Sequence, residues 1–287
     1  TGRSAFTSDR MLPDMLFAKS LRSTHAHARI VSVDVSRALA MPGVRAVLTG
    51  ADVRGIRIGR RMYDVPVLAD DRVRFVGERV AAVAADDATI AEAACQIIDV
   101  VYDELPAVFG PEAALADGAP VLHPDVNEYH GLPRPVDGNL NAFVTDTWGN
   151  GNVETGFEQA EVIIEGTYST QRVHQGYIEP HGCLVWIDED GRTNIYSPNK
   201  APHRLKSNLS ESLGIPIDEI VVHHSMVGGD FGGKGSPMDV PLCYFLAKRT
   251  GRPIRATMTI DALPAAYPSA MSRLGVVEVK PNSDSTS

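Results

Sequence analysis

An α+β fold in two parts is what the sequence predicts, and three features predict it. Over residues 1–122, β-branched runs alternate with short helical patterns. Residues 123–152 are rich in Pro, Gly, Asn and Asp and show little periodicity, which marks a linker over a surface. From residue 153 to 287, strand-like runs return, then a helix, a strand, a glycine-rich loop and another helix. The chain has 287 residues, room for roughly two domains, and 44% of them are apolar, enough for sizeable cores. The net charge is −9 with no Lys/Arg cluster, which argues against a nucleic-acid surface. No apolar run approaches the length of a membrane span.

In the first part the strands are expected at residues 30–35 and 45–49. A short helix at 36–40 and a Pro42-Gly43 break separate them. A second strand–helix–strand unit follows. Its strands fall at 79–84 and 98–103, and Ile90, Ala94, Ile97 and Val101 recur at helical spacing between and into them. Asp87 or Thr89 supplies the helix cap. This alternation predicts a layered domain over about residues 1–120. In the linker, Asn127 and Asn150 read as turn formers.

The second part alternates like strands from residue 160 to 198, with Asp190-Gly191 as a hairpin turn. Residues 203–213 form a helix with Leu205, Leu209 and Leu213 on one face and Gly214 as its stop. A strand is expected over 220–227 and another within 252–260. The helix after the glycine loop is expected to start with Ser236 as N-cap, Pro237 at N1 and Asp239 at N3. Lys248 and Arg249 fall in its last turn, and Gly251 closes it.

Between that strand and helix lies MVGGDFGGKGS, residues 226–236. Gly228, Gly233 and Lys234 match the phosphate-loop spacing G-x-x-x-x-G-K-[ST]. The hydroxyl that must follow the lysine to hold Mg²⁺ is absent, because Gly235 stands there. A nucleotide triphosphatase is therefore disfavoured. Five glycines between 228 and 235 exceed what a tight turn requires. They let backbone approach a ligand closely, and a helix N-terminus behind them favours an anionic or oxo-bearing one.

Residues 174–182, HQGYIEPHG, are the other polar cluster. On a strand, Gln175, Tyr177, Glu179 and His181 share a face, although Pro180 disturbs the geometry. A zinc site from His174, Glu179 and His181 is a weak reading. A pocket wall and a buried Glu179–His181 pair are both open. His25 and His27, two apart, read as structural or channel-lining rather than as a metal pair. His223 and His224 are adjacent on a strand, so they face opposite ways. Cys95, Cys183 and Cys243 form no metal or iron–sulfur motif and read as buried small side chains. Their odd number, without a signal peptide, suggests a reducing compartment, and a cytoplasmic location is expected.

Four segments in order, LRSTHAHARIVSVDVSRALAMPGVRAVLTGADV, VRFVGERVAAVAADDATIAEAACQIIDVVYDELPAV, HQGYIEPHGCLVWI and MVGGDFGGKG, resemble the large subunit of the xanthine dehydrogenase/aldehyde oxidase family. The resemblance implies an α/β hammerhead domain over 1–122, followed after the 123–152 linker by the first part of a molybdopterin-binding α+β domain. It implies a molybdenum–molybdopterin cofactor, with a cytosine dinucleotide form among the options. The loop Gly228, Gly229, Asp230, Phe231, Gly232 and Gly233 would approach that cofactor, and Gln175 or a close neighbour would face it. FAD and 2Fe–2S groups would sit on partner subunits, since no motif for either occurs here. The family's later segments, with most pterin contacts and the catalytic glutamate base, do not match anything in these 287 residues. The remainder of a large subunit, or a second molybdopterin-binding chain, is therefore an expected partner. The implied activity is oxidation of an aldehyde, an N-heteroaromatic or a related carbon centre with water-derived oxygen; a non-catalytic docking module is the alternative. Xanthine-type members carry Glu where this chain has Gly235, a departure that speaks against purines.

Overall fold

The computed structural model describes residues 2–146, 149–164, 166 and 174–259. Its first part contains β1 (Leu16–Arg22), β2 (Ala28–Asp34), α1 (Ser36–Leu39), β3 (Val44–Thr49), β4 (Arg57–Ile58), β5 (Val65–Pro66), β6 (Arg72–Val73), β7 (Arg79–Ala85), α2 (Ala88–Gln96) and β8 (Asp99–Glu104). Helices α3 (Pro111–Leu115) and α4 (Val153–Gln159) flank the linker region. The second part has β9 (Gly182–Ile187), β10 (Thr193–Tyr196), α5 (Pro202–Leu213), β11 (Ile220–His223), α6 (Val240–Thr250) and β12 (Ile254–Thr257). The mixture of helices and sheets is the expected α+β class.

One seven-stranded sheet runs β11-β10-β9-β12-β1-β7-β3, and β6-β2-β8 form a second sheet. The central joint is β1, which pairs parallel with β12 (Leu16 opposite Ile254) and antiparallel with β7. The first 120 residues therefore do not close their large sheet alone; four of its seven strands come from residues 182–257. Strand β7 explains how layers meet on both faces. All seven of its residues, RVAAVAA, are buried. Ala82 and Ala84 join the main core with Leu16, Leu48, Leu205 and Leu246, whereas Ala81, Val83 and Ala85 face a smaller core with Ala91, Ala94 and Cys95 of α2. Period-2 alternation thus serves two cores, and small side chains let both layers approach the strand.

Several local expectations hold with small shifts. Asp87 caps α2 by accepting the Thr89 N–H at 2.7 Å. Leu205 and Leu209 are buried on α5, and left-handed Gly214 (φ +67°) ends it. Asp190-Gly191 joins β9 to β10 as a hairpin. Val101 lies on β8, half exposed, because α2 stops at Gln96. Asn127 lies in the single 3-10 turn Val126–Glu128, and its side-chain amide donates to Val136 O and accepts the Val136 N–H. The linker is also pinned. Arg57 donates to Asp125 at 2.5 Å, Tyr129 Oη donates to Asp125 at 2.9 Å, and His123 Nδ1 sits 2.7 Å from Tyr129 Oη.

Three expectations near the glycine loop are corrected. The strand expected over 220–227 ends at His223, since residues 224–239 leave the sheet. Ser236 is not the N-cap of the following helix. Helix α6 begins at Val240 with Asp239 as N-cap and Pro241 in its first turn, where its missing N–H costs nothing. Met238 at φ +48° separates that helix from the loop, so the helix N-terminus does not sit directly behind the glycines. Residues 174–181 are irregular rather than a strand, because Gly176 takes φ +66° and Pro180 lacks a donor. Residues 162–164 are also non-strand, and the rest of that expected strand, at 165 and 167–173, lies outside the described residues. Among the described residues no helix is long and apolar enough to cross a membrane.

Candidate functional site

The glycine loop is organised from within and from below. Asp230 is its internal hub. Its Oδ1 accepts the Lys234 N–H at 2.5 Å, its Oδ2 accepts the Gly232 N–H at 3.0 Å and Lys200 Nζ at 2.8 Å, and its backbone carbonyl accepts the Gly233 N–H at 2.7 Å. Burial opposes ionisation of Asp230, but the bonds from Lys200 and the loop N–H groups outweigh it and hold its carboxyl below the usual range. The carboxylate is thereby turned into its own loop. Below the loop, Glu179 Oε2 accepts the Gly228 N–H and Lys234 Nζ, both at 2.6 Å. The Glu179 N–H donates to Gly228 O at 3.2 Å, closing a two-way bridge between residues 174–181 and the loop.

That bridge explains most of the glycines. A Cβ at Gly228 would lie 2.6 Å from Glu179 Cβ, and one at Gly233 would lie 2.6 Å from the Tyr177 ring. Gly229, at φ +96°, would bring a Cβ to 3.0 Å from Tyr177 Cβ. These three glycines are required by close packing on Tyr177 and Glu179. Gly232 differs. It also has a positive φ, +92°, but a Cβ there would meet nothing within 4 Å. Phe231 beside it is 74% exposed. The outer rim of the loop, Phe231 and Gly232, is therefore open, and the N–H groups of Gly229, Asp230 and Phe231 take no part in the bonds above.

Gln175, expected to face a cofactor, lies against this loop, with Cδ 3.2 Å from where a Gly233 Cβ would sit. Its Oε1 is buried and has no hydrogen-bond partner, and the same holds for Tyr177 Oη, His174 Nε2 and Glu179 Oε1. Tyr177 is pushed up to about 12 by burial and by the Asp230 charge, so its hydroxyl keeps its proton. Such a cluster of unsatisfied buried polar atoms at one loop is what a polar ligand would complete. The sequence thus brings Gln175, Gly228, Gly229, Asp230, Phe231, Gly232 and Gly233 into one patch. Asp230 serves the loop, and Gly228, Gly229 and Gly233 serve packing.

Other sequence candidates separate. Lys234 is wholly buried on Glu179 and over the Tyr177 ring at 4.9 Å, so it cannot serve as a phosphate-loop lysine. The open Glu179–His181 pairing is replaced by Glu179–Lys234; His181 is buried against Tyr177, and burial pushes it down to about 4. Among the described residues no group of His, Cys, Asp and Glu has a metal-holding arrangement. His25 pairs with Glu104 at 3.1 Å, and His27 Nδ1–H donates to Pro106 O at 2.7 Å, so the two do not converge. His223 packs in a three-ring cluster with Trp186 and Tyr196, whereas neighbouring His224 is exposed. All three cysteines are buried and free.

Sequence reasoning missed a cavity of ≈ 190 Å³ on the other flank of the loop. Gly232, Gly233 and Gly235 form one wall, and none of Gln175, Tyr177 and Glu179 lines it. Arg22, Arg60 and Arg79 supply cations, and Glu78 and Asp64 supply carboxyls. Arg79 Nε pairs with Asp239 Oδ1 at 2.7 Å. Burial and the neighbouring Arg79 push Arg22 down to about 10. Burial pushes Glu78 up to about 7 and raises Asp64 as well. These residues lie about 150 to 210 positions from the loop, and no spacing rule links them.

A family model for the aldehyde oxidase and xanthine dehydrogenase a/b hammerhead domain matches residues 1–106, and one for the molybdopterin cofactor-binding domain matches residues 136–278. A probable xanthine dehydrogenase subunit from Bacillus subtilis (strain 168) is 38% identical over 260 residues, covering 90% of this chain and 33% of that protein. The nicotinate dehydrogenase large molybdopterin subunit of Eubacterium barkeri is 33% identical, covering 88% of this chain and 57% of that protein. The solved structure of reconstituted CO dehydrogenase from Oligotropha carboxidovorans superposes with a TM-score of 0.81 at 29% identity, covering 91% of this chain and 34% of that one. The chain thus spans between a third and somewhat over half the length of these relatives.

Proposed function

The chain belongs to the xanthine dehydrogenase/aldehyde oxidase family of molybdenum-enzyme large subunits, and from that premise we propose that its glycine loop forms one wall of a molybdopterin site. The observation that carries this reading is the open rim at Gly232 beside the unpartnered Gln175 Oε1. The residues fit the group: Phe231 and Gly232 leave space for close backbone approach, and Gln175 and Tyr177 present an amide and a protonated hydroxyl. Gly228, Gly229 and Gly233 set the loop on Tyr177 and Glu179, and Asp230 fixes its curvature. When bound, the cofactor supplies a two-electron oxidation of a substrate carbon with water-derived oxygen. This chain's residues bind and orient; the general base comes from elsewhere in the assembly.

The whole assembly is then an oxidoreductase acting on an aldehyde, an N-heteroaromatic or a related carbon substrate. Its other parts are the rest of a large subunit or a second molybdopterin-binding chain, an FAD subunit and a 2Fe–2S subunit. The cytosine dinucleotide form of the cofactor and a cytoplasmic location belong to the same proposal, as does the division into a hammerhead domain at 1–122, a linker at 123–152 and a partial cofactor domain at 153–287.

Gly232→Val tests it. A side chain at Gly232 has space within the chain but a strained backbone, a cost of about 1–2 kcal/mol. The fold therefore persists while the rim is blocked, and molybdenum in the purified complex is expected to fall. A second reading, a docking module without a cofactor role, draws on the exposed Ile178 (92%) and Phe231. Under that reading Gly232→Val leaves molybdenum content and activity unchanged.

A further inference from the structure

The cavity behind the loop has features that the cofactor reading does not use. Its ≈ 190 Å³ is below the roughly 300–1,000 Å³ of drug-sized pockets, which suits a single-ring molecule. Ile58, Val65, Phe75 and Met238 give it apolar walls. Arg22, Arg60 and Arg79 give it cations. Arg22 spends one nitrogen on Gly77 O at 2.9 Å, and Arg79 forms an ion pair with Asp239, Nε to Oδ1 2.7 Å, without hydrogen-bond geometry. Arg60 is exposed at the mouth, its guanidinium carbon 3.4 Å from where a Gly235 Cβ would sit. Opposing them, Glu78 is 3% exposed. Its Oε2 accepts the Arg74 N–H at 2.6 Å, and its Oε1 is buried without a hydrogen-bond partner, 3.9 Å from Arg74 Nη1. Asp64 lines the cavity as well, so three guanidiniums, one of them paired with Asp239, face two carboxyls over an apolar floor.

We propose that this cavity binds a small ring-bearing carboxylate, whose carboxylate meets the Arg22, Arg60 and Arg79 guanidiniums while its ring lies on Phe75, Ile58 and Val65. Guanidinium forks match carboxylates in bidentate geometry, and the apolar walls favour a ring over a bare inorganic anion. Glu78 Oε1 is left for a polar atom on the ring. Because Gly232, Gly233 and Gly235 are shared with the loop, a ligand here abuts the proposed cofactor wall. Anionic ring compounds are then the substrate class of the assembly, a step that rests on the reading of the loop given above.

The test is calorimetric titration of the purified complex with benzoate, with benzyl alcohol and inorganic phosphate as comparisons and molybdenum measured in the same sample. Benzoate should bind saturably, and the other two at least about tenfold more weakly, the effect of losing one charge-assisted contact. A Cβ at Gly235 would meet the Arg60 guanidinium at 3.4 Å, an ordinary contact, so Gly235→Glu adds a carboxylate-bearing side chain beside Arg60. It should weaken benzoate about tenfold or more, and so should Arg60→Gln, with unfolding midpoints unchanged. Absence of saturable benzoate binding, equal binding of benzyl alcohol or phosphate, or no effect of either variant would overturn the proposal. A molybdenum-loaded complex that ignores benzoate sinks the cavity inference alone. A molybdenum-free native complex that binds benzoate upholds the cavity and sinks the cofactor reading, and with it the substrate assignment.

Discussion

Lys234 Nζ lies 2.6 Å from Glu179 Oε2, and the lysine is wholly buried. This contact joins segments 55 residues apart in sequence and fixes the loop to the 174–181 segment. Glu179→Gln leaves a buried ammonium without its counter-charge. Breaking one partner of such a pair costs roughly 3–5 kcal/mol. Thermal unfolding should show a large drop, and Lys234→Met a smaller one, because the methionine fills a similar volume and Glu179 keeps the Gly228 N–H as a donor.

Asp230 accepts three loop or lysine donors through its side chain. Asp230→Ala should release the Gly232 and Lys234 N–H groups. Hydrogen exchange at those two amides is expected to quicken, with a local cost of about 1–3 kcal/mol, while protection in β7 stays as it was. Unchanged exchange at both amides would show that the loop holds its shape without this hub.

The disfavoured phosphate-loop reading and the observed loop show what was legible in the sequence. Five glycines and the order of four segments pointed to the loop and its neighbour at 174–181. Why each glycine was needed was not legible, because Tyr177 and Glu179, which crowd Gly228, Gly229 and Gly233, approach only through tertiary packing. The strand expected at 174–181 failed on Gly176 and Pro180, two residues that break β geometry but sit in an alternating pattern. The helix start misplaced at Ser236 failed in the same way: a plausible local cap was overridden by Met238 at φ +48° and by Asp239, whose side chain turns to Arg79. The Arg22–Arg60–Arg79 cavity left no sequence trace, since the antiparallel pairing of β1 with β7 sets Arg22 opposite Arg79 and only tertiary packing brings Arg60 and the glycine loop beside them.

Glu78 ties stability to pH. Its folded pKa is raised to about 7 from 4.5, chiefly by burial. In the folded state it therefore holds its proton where the unfolded chain has lost it. Its stabilising contribution is full below about pH 4.5 and is lost as pH rises through about 7. Relative to wild type, Glu78→Gln should gain on the order of 3 kcal/mol between pH 4.5 and 7.5, read from chemical denaturation at both pH values. His123 and His181, lowered by burial to about 3 and about 4, act with the opposite sign and are common to both proteins, so the difference isolates Glu78.

The linker is held by Tyr129, whose hydroxyl bonds Asp125 and lies 2.7 Å from His123 Nδ1. Tyr129→Phe leaves both partners short of a contact at a cost of about 1–3 kcal/mol. Limited proteolysis within residues 123–146 should accelerate, with no change in bound molybdenum. Equal cleavage rates would mean that the Arg57–Asp125 pair alone secures the segment.

The most direct measurement is a native mass spectrum of the complex that contains this chain, purified from its own host, with metal content read from the same species. The predicted result is a molybdenum-bearing assembly in which further sequence completes the large subunit and its cofactor site. A complex of defined composition that carries no molybdenum would contradict it.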